Sequence, residues 1–211
     1  MIVSRRAVCA MLMASAIGAR AHAAGQCSAI NPMGVQQCSV GLPLMAFASE
    51  SFTTTQEKTN WCWAACIFSI FDWYGREVSQ DRIVEKVFGG DLDNPANGQQ
   101  IFGAINGYWT DDYDEDFYAE ATPLVDLEYS FGNPQAAAIM SMELLGEHPL
   151  IIGTRGHAMV VTALSWLQDV YGRQQIVDLV VRDPWPDNPR RRSLSAEEFY
   201  GTNLLMQVRV D

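Results

Sequence analysis

The chain has 211 residues, 48% hydrophobic and 18% charged, with a formal net charge of −11. That length carries one domain with a sizeable core. The acidic balance excludes nucleic acid as an expected partner, because affinity there comes from Lys and Arg neutralising phosphates.

Residues 1–23 read MIVSRRAVCAMLMASAIGARAHA. Arg5 and Arg6 form a charged start, the apolar run from Ala7 to Ala19 is too short to span a bilayer, and Ala21-His22-Ala23 has the small-residue pattern of a cleavage site. The expectation is a signal peptide over 1–23 and a periplasmic or secreted mature chain starting near Ala24. Ser4-Arg5-Arg6 half-matches a twin-arginine signal, so the export route stays open between that and the general one. Cys27 follows Gln26, not the small residue a lipid-attachment site needs. Losing Arg5, Arg6 and Arg20, with no acid beside them, takes the net charge from −11 to −14. No second apolar run approaches the length of a membrane span, and no pattern sets an oligomeric state.

Residues 24–50 are rich in Ser, Gly and Pro and read as an irregular N-terminal arm, with one strand near 42–47. A Cys27–Cys38 bridge fits an oxidising compartment and would close a short loop in a segment with little core of its own. The domain proper is expected over 51–211. Residues 61–74 are apolar almost all round and stop at Gly75, the pattern of a buried central helix. A second helix is expected over 79–87, with Ser79 as N-cap and Gly89-Gly90 as stop, and a third over 97–106. The stretch TDDYDEDFYAE, residues 110–120, alternates Asp112, Asp114 and Asp116 as a calcium loop does. It lacks the turn glycine and closing glutamate of such a loop, and reads as a solvated acidic loop. Asn133-Pro134 opens a further helix over 135–145. After His148 the texture turns β-branched: PLIIGT, HAMVVTALSWL, QIVDLVV and NLLMQVRV read as strands, and Ser195-Ala-Glu-Glu198 as the capping box of one short helix. Helices first and an antiparallel sheet afterwards is an α+β pattern.

Two cysteines, Cys62 and Cys66, lie one turn apart on the central helix. A thiol attacks carbonyl groups as thiolate, a charge that a helix N-terminus stabilises and an apolar surround disfavours. Cys62 begins the helix and is the candidate nucleophile; Cys66 is the packing residue. Beyond the signal only His148 and His157 can act as base. His157 starts a strand after Gly156, whereas His148 sits in a helix-to-strand turn and reads as exposed. An orienting carboxylate belongs near the end of a neighbouring strand, which favours Asp183 over Asp178, an interior strand residue. The Gln56 amide and the Cys62 backbone N–H would supply two donors to an oxyanion.

Gln56, Cys62-Trp63-Ala64, His157 and Asp183-Pro184-Trp185 together resemble the papain-like cysteine peptidases. More narrowly, they resemble the short bacterial branch of effector-type and bacteriocin-processing-type enzymes. The resemblance runs from about residue 50 to 210. It implies a papain-like α+β fold, with an N-terminal helical half around the central helix and a C-terminal antiparallel sheet half. It also implies a Cys62–His157–Asp183 triad, an oxyanion hole at Gln56 and a Trp185 that shields the His157–Asp183 bond. Asp183 stands where most of the family has Asn, Trp61 where plant-type members have a small residue, and Thr59 where they have a disulfide cysteine.

The expected function is hydrolysis of peptide or amide bonds in a peptide or protein substrate, without cofactor or metal. The same triad would serve a glutamine deamidase or a peptidoglycan amidase. A non-catalytic binding protein, with the acidic loop and tryptophans as its surface, remains a second class. A zinc site from Cys62, Cys66, His148 and His157 is a third, although that ligand spacing does not suit it.

Overall fold

The computed structural model describes residues 23–43, 54–124 and 134–211. Residues 1–22 of the expected signal peptide and residues 44–47 of the expected strand lie outside them. The described residues form five helices and a nine-stranded antiparallel sheet.

Helix α1, Cys62–Trp73, has no polar stripe, and its first ten residues are buried. A helix apolar on every side has to be surrounded, and α1 packs between the sheet and helix α2, Gln80–Phe88. Burying each side chain such as Ile67, Ile70 or Phe71 contributes about 1.5–3 kcal/mol. Gly75 ends α1 at φ 78°, and the Arg76 N–H closes back on the Phe71 carbonyl at 2.9 Å, bonding that satisfies an end carbonyl the helix leaves open. Helix α3, Gly98–Ile105, starts on a reciprocal Asn97/Gln100 capping box. Helix α4 spans Pro134–Leu145 and α5 spans Ala196–Tyr200, the latter on the expected Ser195/Glu198 box. None of the described helices is long and apolar enough to cross a membrane.

The strands are β1 Ala24–Cys27, β2 Val35–Gly41, β3 Gly107–Thr110, β4 Asp116–Pro123, β5 Leu150–Thr154, β6 His157–Asp169, β7 Gln174–Arg182, β8 Arg191–Ser193 and β9 Thr202–Val210. Their order is β1-β2-β6-β5-β9-β4-β3, with β7 on β6 and β8 on β7. Strand β6 organises the sheet. On one edge its first residues pair with β5 and its last with β2, while β7 lines the other edge.

Three expectations are corrected here. The arm is not irregular: β1 and β2 form a hairpin, the disulfide Cys27–Cys38 joins two directly paired residues, and β2 adds to β6. Its residues are too polar to show strand periodicity, and β6 supplies the hydrogen-bonding edge that makes them strands. The acidic stretch is not a solvated loop but the β3–β4 hairpin. At its tip Asp111 is buried and accepts the N–H groups of Tyr113 and Glu115 at 3.0 and 2.9 Å, and Asp112 accepts the Ser79 N–H at 3.0 Å. Asp112 thereby ties the hairpin tip to the residue before α2, while the Ser79 hydroxyl makes no capping bond. The division into a helical half and a sheet half also fails in detail, because β1 to β4 precede β5 in the chain and share its sheet.

Candidate active site

Cys62 is the first residue of α1, where the N–H groups of the opening turn have no earlier carbonyl to bond. Its Sγ accepts the Ala158 N–H at 3.5 Å, which sets the thiol against the start of β6. Cys66, one turn deeper, is buried, and burial pushes its thiol well above the ordinary range, helped by Cys62 and Asp183 nearby.

His157 opens β6 because the chain reverses in a two-residue turn. Arg155 and Gly156 both take positive φ, 51° and 80°, as a tight hairpin between twisted strands requires. The His157 ring sends Nε2 to Asp183 Oδ1 at 2.7 Å, so Nδ1 is the nitrogen left for the Cys62 thiol, which lines the same cleft. Burial works to lower the His157 pKa. The hydrogen bonds to Asp183 and then Cys62 outweigh it and lift the pKa to about 9.

Asp183 directly follows β7 and is fully buried. Its Oδ1 accepts His157 Nε2 and the Trp185 N–H, the latter at 2.9 Å; its Oδ2 accepts Asn188 Nδ2 and Arg192 Nε, both at 2.8 Å. Those four donors use the acceptor capacity of an ionised carboxylate. Burial alone would raise the Asp183 pKa, but the bonds from His157, Trp185 and Arg192 hold it well below the usual carboxylate range. The Trp185 ring stands edge-on to His157, with centroids 6.4 Å apart at 82°.

Gln56 is buried in the turn before α1, and its backbone N–H bonds the Pro184 carbonyl at 2.9 Å, joining that turn to the Asp183 loop. Its side-chain Nε2 donates to the Lys58 and Thr59 carbonyls at 2.9 and 2.7 Å, and its Oε1 is buried without a hydrogen-bond partner. Both amide protons are therefore engaged within the turn.

A cleft of about 400 Å³ opens over Cys62 and His157. Thr59, Asn60 and Pro95 line one wall, and Gly156, Trp185 and Asn188 the other. The first wall is held by a strap, residues 91–95. Trp61 Nε1 donates to the Leu92 carbonyl at 3.0 Å and Trp63 Nε1 to the Asn94 carbonyl at 3.2 Å. The Asn60 N–H bonds Asp93 Oδ1 at 2.7 Å. The tryptophans flanking Cys62 thus tie the helix start to the cleft rim.

The structure brings Cys62, His157, Asp183 and Trp185 together and leaves the rejected candidates elsewhere. Asp178 sits inside β7 opposite Ser165. His148 follows α4 and stacks on Tyr74 at 6.4 Å; it is half-buried rather than the exposed residue expected. Asn188, Arg192 and the strap escaped sequence reasoning. The Ser195-x-x-Glu198 box was visible, but nothing in it signals that Glu198 also grips Arg192. Among the described residues no group of three or more His, Cys, Asp or Glu side chains could hold a metal ion. A thiol, an imidazole and a buried carboxylate in line can generate a base-activated sulfur nucleophile. A scan against models of known protein families finds no match to this chain, and no curated protein matches it either.

Proposed function

We propose that the chain is a papain-like cysteine hydrolase of peptide or amide bonds, with Cys62 as nucleophile, His157 as acid–base and Asp183 as the orienting group. The His157–Asp183 hydrogen bond, with the Cys62 thiol set beside His157 in an open cleft, carries this reading. Cys62 Sγ attacks the carbonyl carbon of the substrate and forms a C–S bond. His157 then gives its proton to the departing nitrogen as the C–N bond breaks, leaving a thioester. Water attacks the thioester with His157 taking its proton, and the acid product leaves as the sulfur is restored.

The Cys62 backbone N–H at the start of α1 is placed to receive the oxyanion. Gln56 joins it only by exchanging one of its bonds to Lys58 or Thr59. Among the described residues the cleft lining offers Thr59, Asn60 and Asn188 as neutral hydrogen-bonding side chains to the substrate. The protein is read as exported, to periplasm or medium; the Cys27–Cys38 disulfide fits that compartment.

Profiling wild type and Cys62→Ala on a peptide library and on peptidoglycan fragments tests the reading. Turnover by wild type and a loss of at least ~10³-fold in Cys62→Ala are expected. No turnover, together with equally slow iodoacetamide labelling of Cys62 and Cys66, would leave a binding protein instead.

A further inference from the structure

The side chains behind Asp183 form a second layer with its own connectivity. Arg192 lies on β8 opposite Val181 of β7. Its Nε donates to Asp183 Oδ2 at 2.8 Å, and the rest of its guanidinium closes a fork on Glu198, with Nη1 to Oε2 at 2.8 Å and Nη2 to Oε1 at 2.5 Å. Nη2 also reaches Met159 Sδ, two residues beyond His157 on β6, at 3.3 Å. Glu198 is fixed in turn: Oε2 accepts the Ser195 N–H at 2.9 Å as part of the α5 capping box.

The backbone of Glu198 extends the same hold to the histidine side of the cleft. Its carbonyl accepts Thr154 Oγ1 at 2.6 Å and Thr202 Oγ1 at 3.0 Å. Thr154 is paired directly with His157 across the Arg155-Gly156 turn, and Arg155 pairs with Glu197 of α5 at 3.4 Å. One residue, Glu198, therefore grips the loop of Asp183 through Arg192 and the hairpin of His157 through its carbonyl.

We propose that Arg192 and Glu198 are positioning residues, a clamp that sets the distance and orientation between His157 and Asp183. The clamp rests on the reading of Cys62, His157 and Asp183 as the reaction centre. Two carboxylates with one guanidinium between them complete an alternation of charge that starts at a Cys62 thiolate and a His157 imidazolium. Only a planar fork can bond Asp183 through Nε while holding Glu198 at both oxygens; a lysine supplies the charge without that geometry. With Arg192 removed, Asp183 Oδ2 keeps Asn188, an exposed residue, as its remaining side-chain donor. The carboxylate is then free to rotate off His157.

The test compares wild type with Arg192→Met, Arg192→Lys and Glu198→Gln, each also on a Cys62→Ala background. One readout is the downfield imidazole N–H resonance of the His157–Asp183 bond in NMR spectra. The other is the iodoacetamide alkylation rate of Cys62 at pH 7. The clamp predicts that Arg192→Met broadens the resonance away and slows alkylation about tenfold or more. Arg192→Lys should recover only part of both, and Glu198→Gln should fall between. Should Arg192→Met fail to fold, as judged by its thermal melt, Glu198→Gln decides, since it preserves side-chain shape and one acceptor for Ser195. A folded variant with the resonance and the alkylation rate of wild type overturns the clamp. Wild-type Cys62 reacting no faster than Cys66 overturns the reaction-centre reading instead, and the resonance on the Cys62→Ala background still decides the clamp.

Discussion

The two walls of the cleft are built on different physics. The cysteine wall is a buried helix joined to its strap by hydrogen bonds from the N–H groups of Trp61, Trp63 and Asn60. The histidine–aspartate wall is built where two long strands meet short pieces: the turn before β6, the loop after β7, the three residues of β8 and the five of α5, locked by ionised hydrogen bonds among His157, Asp183, Arg192 and Glu198. Apolar burial is the main force that positions the first wall. Charge and geometry set the second, so it holds only while every partner is ionised.

The largest effect that would break this contrast is at Asp183. Replacing it with Ala strands His157, Asn188, Arg192 and the Trp185 N–H around a buried gap, and should cost about 3–5 kcal/mol in chemical denaturation at pH 7. Phe71→Ala on the helical wall should cost a similar ~3–5 kcal/mol from cavity formation. The two separate with pH. Asp183 has a depressed folded pKa, so its contribution is complete above the unfolded value of about 3.9 and is lost as pH falls toward the folded one. The deficit of Asp183→Ala should shrink below about pH 4 while that of Phe71→Ala stays constant. Equal pH dependence in the two variants would erase the distinction between the walls.

A smaller effect is expected at the alkaline end. His157 has a raised folded pKa, so its contribution is complete below its unfolded value of about 6.5 and is lost as pH rises through about 9. Melting temperatures of wild type should fall relative to His157→Gln across that interval and match its slope above it. A wild-type curve parallel to the variant throughout would show that the imidazole is not held as its cation.

The smallest effect sharpens the cysteine wall. Asp93→Ala removes the acceptor of the Asn60 N–H and should cost about 1 kcal/mol. Because that bond joins a carboxylate to an uncharged N–H rather than to a second full charge, its loss should vary less with salt than that of an ion pair. The exposed Lys58–Asp91 pair beside it contributes only about 0–1 kcal/mol and should fade as salt rises. Thermal melts of Asp93→Ala and Lys58→Gln at low and high ionic strength distinguish the two.

Local signals decided much of this molecule. An unbroken apolar run with Gly75 after it specified α1, and the Asn97/Gln100 and Ser195/Glu198 boxes specified the starts of α3 and α5, because each involves residues within a few positions of one another. The choices of Cys62 over Cys66, His157 over His148 and Asp183 over Asp178 followed from place within an element: a helix start, a strand start and a strand end. Those rules are short-range; the fold then sets His157 on Asp183 and the Ala158 N–H on the Cys62 sulfur.

What depends on partners distant in the chain was not legible. The polar residues of β1 and β2 became strands only because β6 offered them an edge, and the acidic run became a hairpin because β9 pairs with β4 and Asp112 accepts the Ser79 N–H before α2. Nothing near Gln56 discloses that its amide protons are spent on the turn it stands in. The sequence by itself determined that a thiol stands at the start of α1, an imidazole at the start of β6 and a carboxylate after β7, since residue type and place within an element are written along the chain. Only the tertiary structure decided what surrounds them: the four donors on Asp183 come from a strand start, a loop backbone, a loop side chain and a separate strand, and hydrogen bonds converge that way only after the sheet has closed.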